Sequence, residues 1–115
     1  MSTKFPKIFL VVILCLIPNI SFSGDLKLGK EIAATVCSLS HSMDGRATSG
    51  GSSAITPNLT GQQKDYLIAK LKDYKSGKIN QHHMNLVAQM LSDKDIENVA
   101  EWYSNIKISI ELPLE

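Results

Sequence analysis

Two side chains carry most of the chemistry in this sequence: the thiol of Cys37 and the imidazole of His41, in the segment Cys37-Ser38-Leu39-Ser40-His41. Their spacing is close to one helical turn, so on a helix both can address the same neighbour. The segment stands one residue away from Cys-x-x-Cys-His, the spacing that attaches haem covalently, with Ser40 where the second thiol would be. A serine hydroxyl adds to a vinyl group far less readily than a thiol, so attachment here would run through Cys37 alone. Downstream, His82, His83 and Met84 offer two more imidazoles and a thioether. Together with Cys37 and His41 they also make a donor set suited to electron-transfer copper.

The elements that must position these groups read as helices at both ends of the chain with turn chemistry between them. Leu26, Gly29, Ile32, Ala33 and Val36 recur at helical spacing and predict a helix from Leu26 to Cys37, with Asp25 as its N-cap. The stretch from Ser42 to Pro57 is crowded with Gly, Ser and Thr and has no sustained period, so it predicts a loop. A helix from about Lys64 to Ser76 places Leu67, Leu71 and Tyr74 on one seam, and Gly77 stops it. His82 and His83 fall outside these runs and are expected as solvated loop residues. Ser92-Asp93-Lys94-Asp95 has the form of a capping box with a shorter acid, followed by Ile96, Val99, Ala100 and Tyr103 on one face. The tail from Ile108 to Glu115 alternates apolar and polar residues, but Pro113 and its terminal position argue against a stable strand.

The first 23 residues do not belong to this helical unit. Lys4 and Lys7, the apolar run Ile8 to Ile17, and Ser21-Phe22-Ser23 before Gly24 have the form of a secretory signal peptide. The apolar run is shorter than the roughly 20 residues a spanning helix needs. Cleavage would remove Cys15 and leave Cys37 as the single thiol beside ten basic and eleven acidic side chains. An intramolecular disulfide is then impossible, and near-neutral charge argues against nucleic acid as a partner. Small exported domains usually offset a thin core with a disulfide, a metal or a cofactor, so a cofactor is expected here.

Taken in order, "GDLKLGKEIAATVCSLSH", "PNLTGQQKDYLIAKLKDYKSGKIN" and "MNLVAQMLSDKDIENVAEWYSNIK" resemble the class I cytochromes c, in particular the small bacterial periplasmic group of cytochromes c4, c5 and c553. The resemblance covers residues 24–107, which leaves 108–115 as a C-terminal tail. It implies an all-α fold in which the N- and C-terminal helices pack together around one haem. It implies further that His41 is the proximal iron ligand, that Cys37 forms the thioether, and that the Pro57 carbonyl accepts a bond from His41 Nδ1. By the family's register the distal ligand lies seven residues before Leu91, at Met84, and Met90 is left as a packing residue. Gly29 is the family's point of close approach to Trp102 or Tyr103. Tyr66, Leu67 and Tyr74 are expected either to line the haem pocket or to be ordinary core. The family glycine after the histidine is Ser42 here.

Three functions compete on this reading. The first is a periplasmic, monomeric electron carrier with haem c on a single thioether and His41/Met84 ligation of its iron. It would transform no small-molecule substrate and would meet redox partners such as membrane oxidoreductases or oxidases transiently. The second is a haem-free binding or structural module derived from a cytochrome. The third is the copper site, for which the helical pattern is unlike the usual β-sandwich.

Overall fold

The computed structural model describes residues 23–47 and 56–114. The expected signal peptide therefore lies outside the described residues apart from Ser23, as does the middle of the Ser42–Pro57 loop.

Asp25 starts the first helix, α1 (Leu26–Ile32), because its carboxylate accepts from the backbone N–H groups of Lys27 at 2.8 Å and Leu28 at 2.9 Å. Such a cap satisfies donors that the first turn of a helix leaves without partners. The helical run continues past Ile32, but Ala33–Cys37 widens into a π-turn before a short α2 (Ser38–His41) closes it. Apolar periodicity predicts the run; it does not predict the wide turn inside it.

The other helices are α3 (Lys64–Lys75), α4 (His82–Met90) and α5 (Asp93–Ser104). Gly77 takes a φ of +78° and ends the α3 region, as its position in the sequence suggests. Helix α4 was not expected. It begins where Gln81 caps the Met84 N–H at 2.6 Å, and it makes His82 and His83 exposed first-turn residues of a helix instead of loop residues. Ser92 and Asp95 form the capping box of α5 in both directions, at 3.1 and 2.9 Å.

Packing centres on α5, whose buried face is Ile96, Val99, Ala100 and Tyr103. Val99, Ala100 and Tyr103 join Ala33 of the π-turn and Leu67 of α3 in one core cluster. Helix α1 crosses α5 at Gly29, where an added Cβ would run into the Asn98 carbonyl and come within 3.2 Å of the Trp102 Cβ. The close approach is therefore to Asn98 and Trp102, not to Tyr103. Asn98 is 1% exposed, and its amide oxygen accepts from the Asp25 N–H at 2.8 Å, which ties the start of α1 to the middle of α5.

Met90 corrects the reading that made it a packing residue: it is 73% exposed at the end of α4, while Ala88 and Leu91 are buried beside it. Residues 108–114 form no strand, and Ile108, Ile110, Leu112 and Leu114 are exposed. The described residues contain helices and no strands, an all-α architecture, and among them no helix is long and apolar enough to cross a membrane.

Candidate functional site

A cavity of about 260 Å³ opens between the helices, lined by Cys37 and His41 from the N-terminal run and by Met84 and Val87 from α4. Pro57 and Leu59 reach it from the segment before α3, and Val99, Ala100 and Tyr103 from α5. Cys37 and His41, singled out by type and spacing, and Pro57 and Met84, implied by the family resemblance, thus meet at one place. Ser40 does not line it.

His41 is 6% exposed, and its Nδ1 lies 2.9 Å from the Pro57 carbonyl oxygen. A carbonyl can only accept, so Nδ1 carries the proton and Nε2 keeps its lone pair. Burial pushes the imidazole below its ordinary pKa, the Pro57 bond acts against that, and His83 adds to the lowering. The ring is thereby kept neutral and aimed. The π-turn sets up the approach: the Ser38 N–H reaches back to the Ala33 carbonyl, one residue further than in an α-helix. That wider turn delays the rotation of the chain, and Cys37 and His41 both arrive at the cavity.

The chain just after His41 is held from α5. The Tyr103 hydroxyl donates to the Ser42 carbonyl at 3.0 Å, and Trp102 Nε1 donates to the Met43 carbonyl at 2.9 Å. Ser42 needs such support, since it adopts φ 59° and ψ 168°, a region populated almost only by glycine. Serine thus holds a backbone conformation that glycine adopts without strain. Two cross-links then join this turn to the Pro57 segment: Leu59 N–H to the Gly45 carbonyl at 2.7 Å, and Thr60 Oγ1 to the Asp44 carbonyl at 2.6 Å. Burial pushes the Cys37 thiol up to about 11, with the Tyr103 hydroxyl pulling the other way.

Met84 is positioned by a different device. Asn85 Nδ2 donates to the carbonyls of Tyr74 at 2.7 Å and Ile79 at 2.8 Å, and its Oδ1 accepts from the Gln81 N–H at 2.8 Å. Lys75 Nζ reaches the Leu91 carbonyl at 2.7 Å, past the other end of α4. Neither Asn85 nor Gln81 stood out in the sequence; the polar pair flanking His82-His83-Met84 is the one hint of a cap there. Tyr66, Leu67 and Tyr74 of α3 all line the cavity, and Leu67 is core as well. Lys70 of the same helix lines it too and was not foreseen, although it lies one turn from both Leu67 and Tyr74.

The donor chemistry fits haem. A thiol, a neutral imidazole with a free Nε2 and a thioether face one largely apolar cavity, and each suits a role in holding a haem. Copper fits less well. Among the described residues no three His, Cys, Asp or Glu side chains gather within reach of one metal ion, so Cys37, His41 and His82 or His83 do not form a common site.

No family model matches the chain. Cytochrome c-554(548) of Halomonas halodenitrificans is 38% identical over 86 residues, which span 72% of this chain and 98% of that protein. Cytochrome c4 of Pseudomonas aeruginosa is 32% identical over 88 residues, spanning 76% of this chain and 41% of that protein, so this chain matches less than half of it. The solved structure of reduced recombinant cytochrome c4 from Pseudomonas stutzeri shares the fold, with a TM-score of 0.61 at 24% identity over 71% of this chain and 48% of that one. A full-length relative at this level of identity and a shared all-α fold agree with the order of the motifs, and the chain belongs to the class I c-type cytochromes.

Proposed function

We propose that this chain is a periplasmic electron carrier that holds one haem through a single thioether at Cys37, with His41 and Met84 as the axial ligands of its iron. The observation that carries this reading is the His41–Pro57 bond at 2.9 Å beside a cavity that Cys37 and Met84 also line. Haem bound there would supply reversible one-electron chemistry between ferrous and ferric iron.

The chain's own residues do the rest. The Pro57 carbonyl fixes the tautomer and orientation of His41, the usual task of a group bonded to a ligating imidazole. Val99, Ala100 and Leu67 are buried beside the cavity and keep that side dry, which favours a small change of solvation when an electron arrives. If His41 and Met84 both held the iron, no coordination position would be left for a substrate, and the role would be electron transfer without transformation of a small molecule. The redox partners are transiently bound proteins such as membrane oxidoreductases or oxidases, met as a monomer after export and cleavage of residues 1–23.

A pyridine haemochrome spectrum on protein from a host with intact c-type maturation tests the reading. Haem should resist acid-acetone extraction, and its band should lie between those of b-type and doubly linked c-type haem, because one vinyl stays unsaturated. Full extraction of the haem would remove the thioether from the proposal. Protein that carries no haem while a control cytochrome matures normally would make the haem-free module the better reading.

A further inference from the structure

The cavity has one formally charged side chain among the residues that line it. No Asp, Glu or Arg lines it, and Lys70 is its one lysine; the other ionisable side chains there are Cys37, His41, Tyr66, Tyr74 and Tyr103. The other polar groups there are the neutral amides of Asn58, Gln62 and Gln81.

Lys70 differs from three of the lysines around it, though not from Lys72 on the exposed side of the helix. Lys64 pairs with Glu101 at 2.6 Å, Lys75 with Asp93 at 3.2 Å and Lys78 with Asp73 at 3.2 Å. Among the described residues no carboxylate stands at ion-pair distance from Lys70; its Nζ lies 5.6 Å from the centre of the Tyr66 ring. A cation held at the edge of an apolar cavity loses solvation, and an aromatic face offsets only part of that loss. The arrangement calls for an anion from outside the chain.

Haem brings two anions of its own, the propionate carboxylates on one edge of an otherwise apolar macrocycle. We propose that Lys70 pairs with a haem propionate and, by doing so, raises the reduction potential of the bound haem. This rests on the haem reading above. The sign follows from electrostatics: a cation near the haem, or one that cancels a propionate, disfavours the extra positive charge of ferric iron. Tyr66 keeps the ammonium at the cavity edge without neutralising it.

The test compares the haem-loaded protein with Lys70→Met, Lys70→Arg and Lys70→Glu, using Lys72→Met as a control on the exposed side of the same helix. Haem content and the near-infrared sulfur-to-iron band are recorded first, so that loss of a ligand is not mistaken for a change in charge. At a fixed potential, Lys70→Met should shift the ferric-to-ferrous ratio about 3- to 10-fold toward ferric, the size expected for loss of one partly screened charge near the haem. Lys70→Glu should shift it further the same way, while Lys70→Arg and Lys72→Met stay near wild type. A purely structural role for Lys70 would not order the variants by charge. Haem-loaded Lys70→Met with the wild-type potential overturns the assignment of Lys70 and leaves the haem reading standing. Wild-type protein without haem, beside a control cytochrome that matures, overturns both.

Discussion

The His41 side and the Met84 side of the cavity are built by different physics. His41 sits at the end of a helical run sealed against α5 by Gly29 and Asn98, and its ring and the following turn are pinned from Pro57, Trp102 and Tyr103. Met84 rides on a nine-residue helix with a single buried residue, Ala88, held mostly by polar side chains that grip backbone carbonyls. One side takes its precision from the core. The other takes it from a clamp, so the histidine position should be the more robust and the methionine position the easier to disturb.

Removal of the proposed ligands gives the largest expected effects. His41→Ala should abolish haem incorporation in a host with c-type maturation. Met84→Ala should retain haem but lose the near-infrared sulfur-to-iron band, which His82→Ala and His83→Ala keep. A band that survives Met84→Ala would move the distal ligand to another residue.

The clamp can be broken without touching either proposed ligand. Asn85→Ala removes two donors to buried-side carbonyls and one acceptor, a loss of about 2–3 kcal/mol in unfolding free energy by denaturant titration. In the haem protein the near-infrared band should fade at a lower temperature than the Soret spectrum of bound haem. If both fade together, the two sides form a single cooperative unit and the methionine side is no easier to disturb than the histidine side.

On the His41 side, Tyr103→Phe deletes the bond to the Ser42 carbonyl and should cost about 1 kcal/mol. Ser42→Gly should act in the opposite direction. It relieves a backbone conformation that is costly for any residue with a Cβ, and a gain of about 1 kcal/mol is expected. An unchanged denaturation midpoint in Ser42→Gly would mean that the turn relaxes around serine in solution.

The dryness of that same side is open to a chemical measurement. In chain expressed from Gly24 without haem, Cys37 is the one thiol, and burial raises it from 9.0 to about 11. The thiolate is the reactive form, so alkylation at pH 9 should run roughly 50-fold slower than for an ordinary exposed thiol and keep rising toward pH 11. An ordinary rate at pH 9 would place water at Cys37.

Legibility in the sequence divided along the same line. The α1–α5 pair could be read because Gly29 and the Ile96, Val99, Ala100 and Tyr103 face repeat at helical spacing, and because Asp25, Ser92 and Asp95 cap their own helices within three residues. Local bonds leave local signatures. Helix α4 could not be read the same way: it is short, its single buried residue leaves almost no periodic stripe, and Asn85 acts on Tyr74, eleven residues away. For the same reason Met90 was misplaced, since a methionine in an apolar stretch looks alike whether it faces core or solvent.

By itself, the sequence determined which groups could do chemistry: Cys37 and His41 by type and spacing, and Met84 and Pro57 through the family register and pattern that the three motifs carry in order. It also determined that the segment ending at His41 offers one thiol, Cys37, because Ser40 is a covalent fact that no folding alters. Only the tertiary structure decided that these groups share one cavity, that a π-turn brings Cys37 and His41 to it, that Ser42 holds a glycine's conformation, and that Lys70 stands as the one charge at its edge. The physical reason is range. Capping, periodicity and motif spacing act within a few residues of chain, whereas the cavity joins side chains from residues 37 to 103, whose meeting depends on how four helices pack.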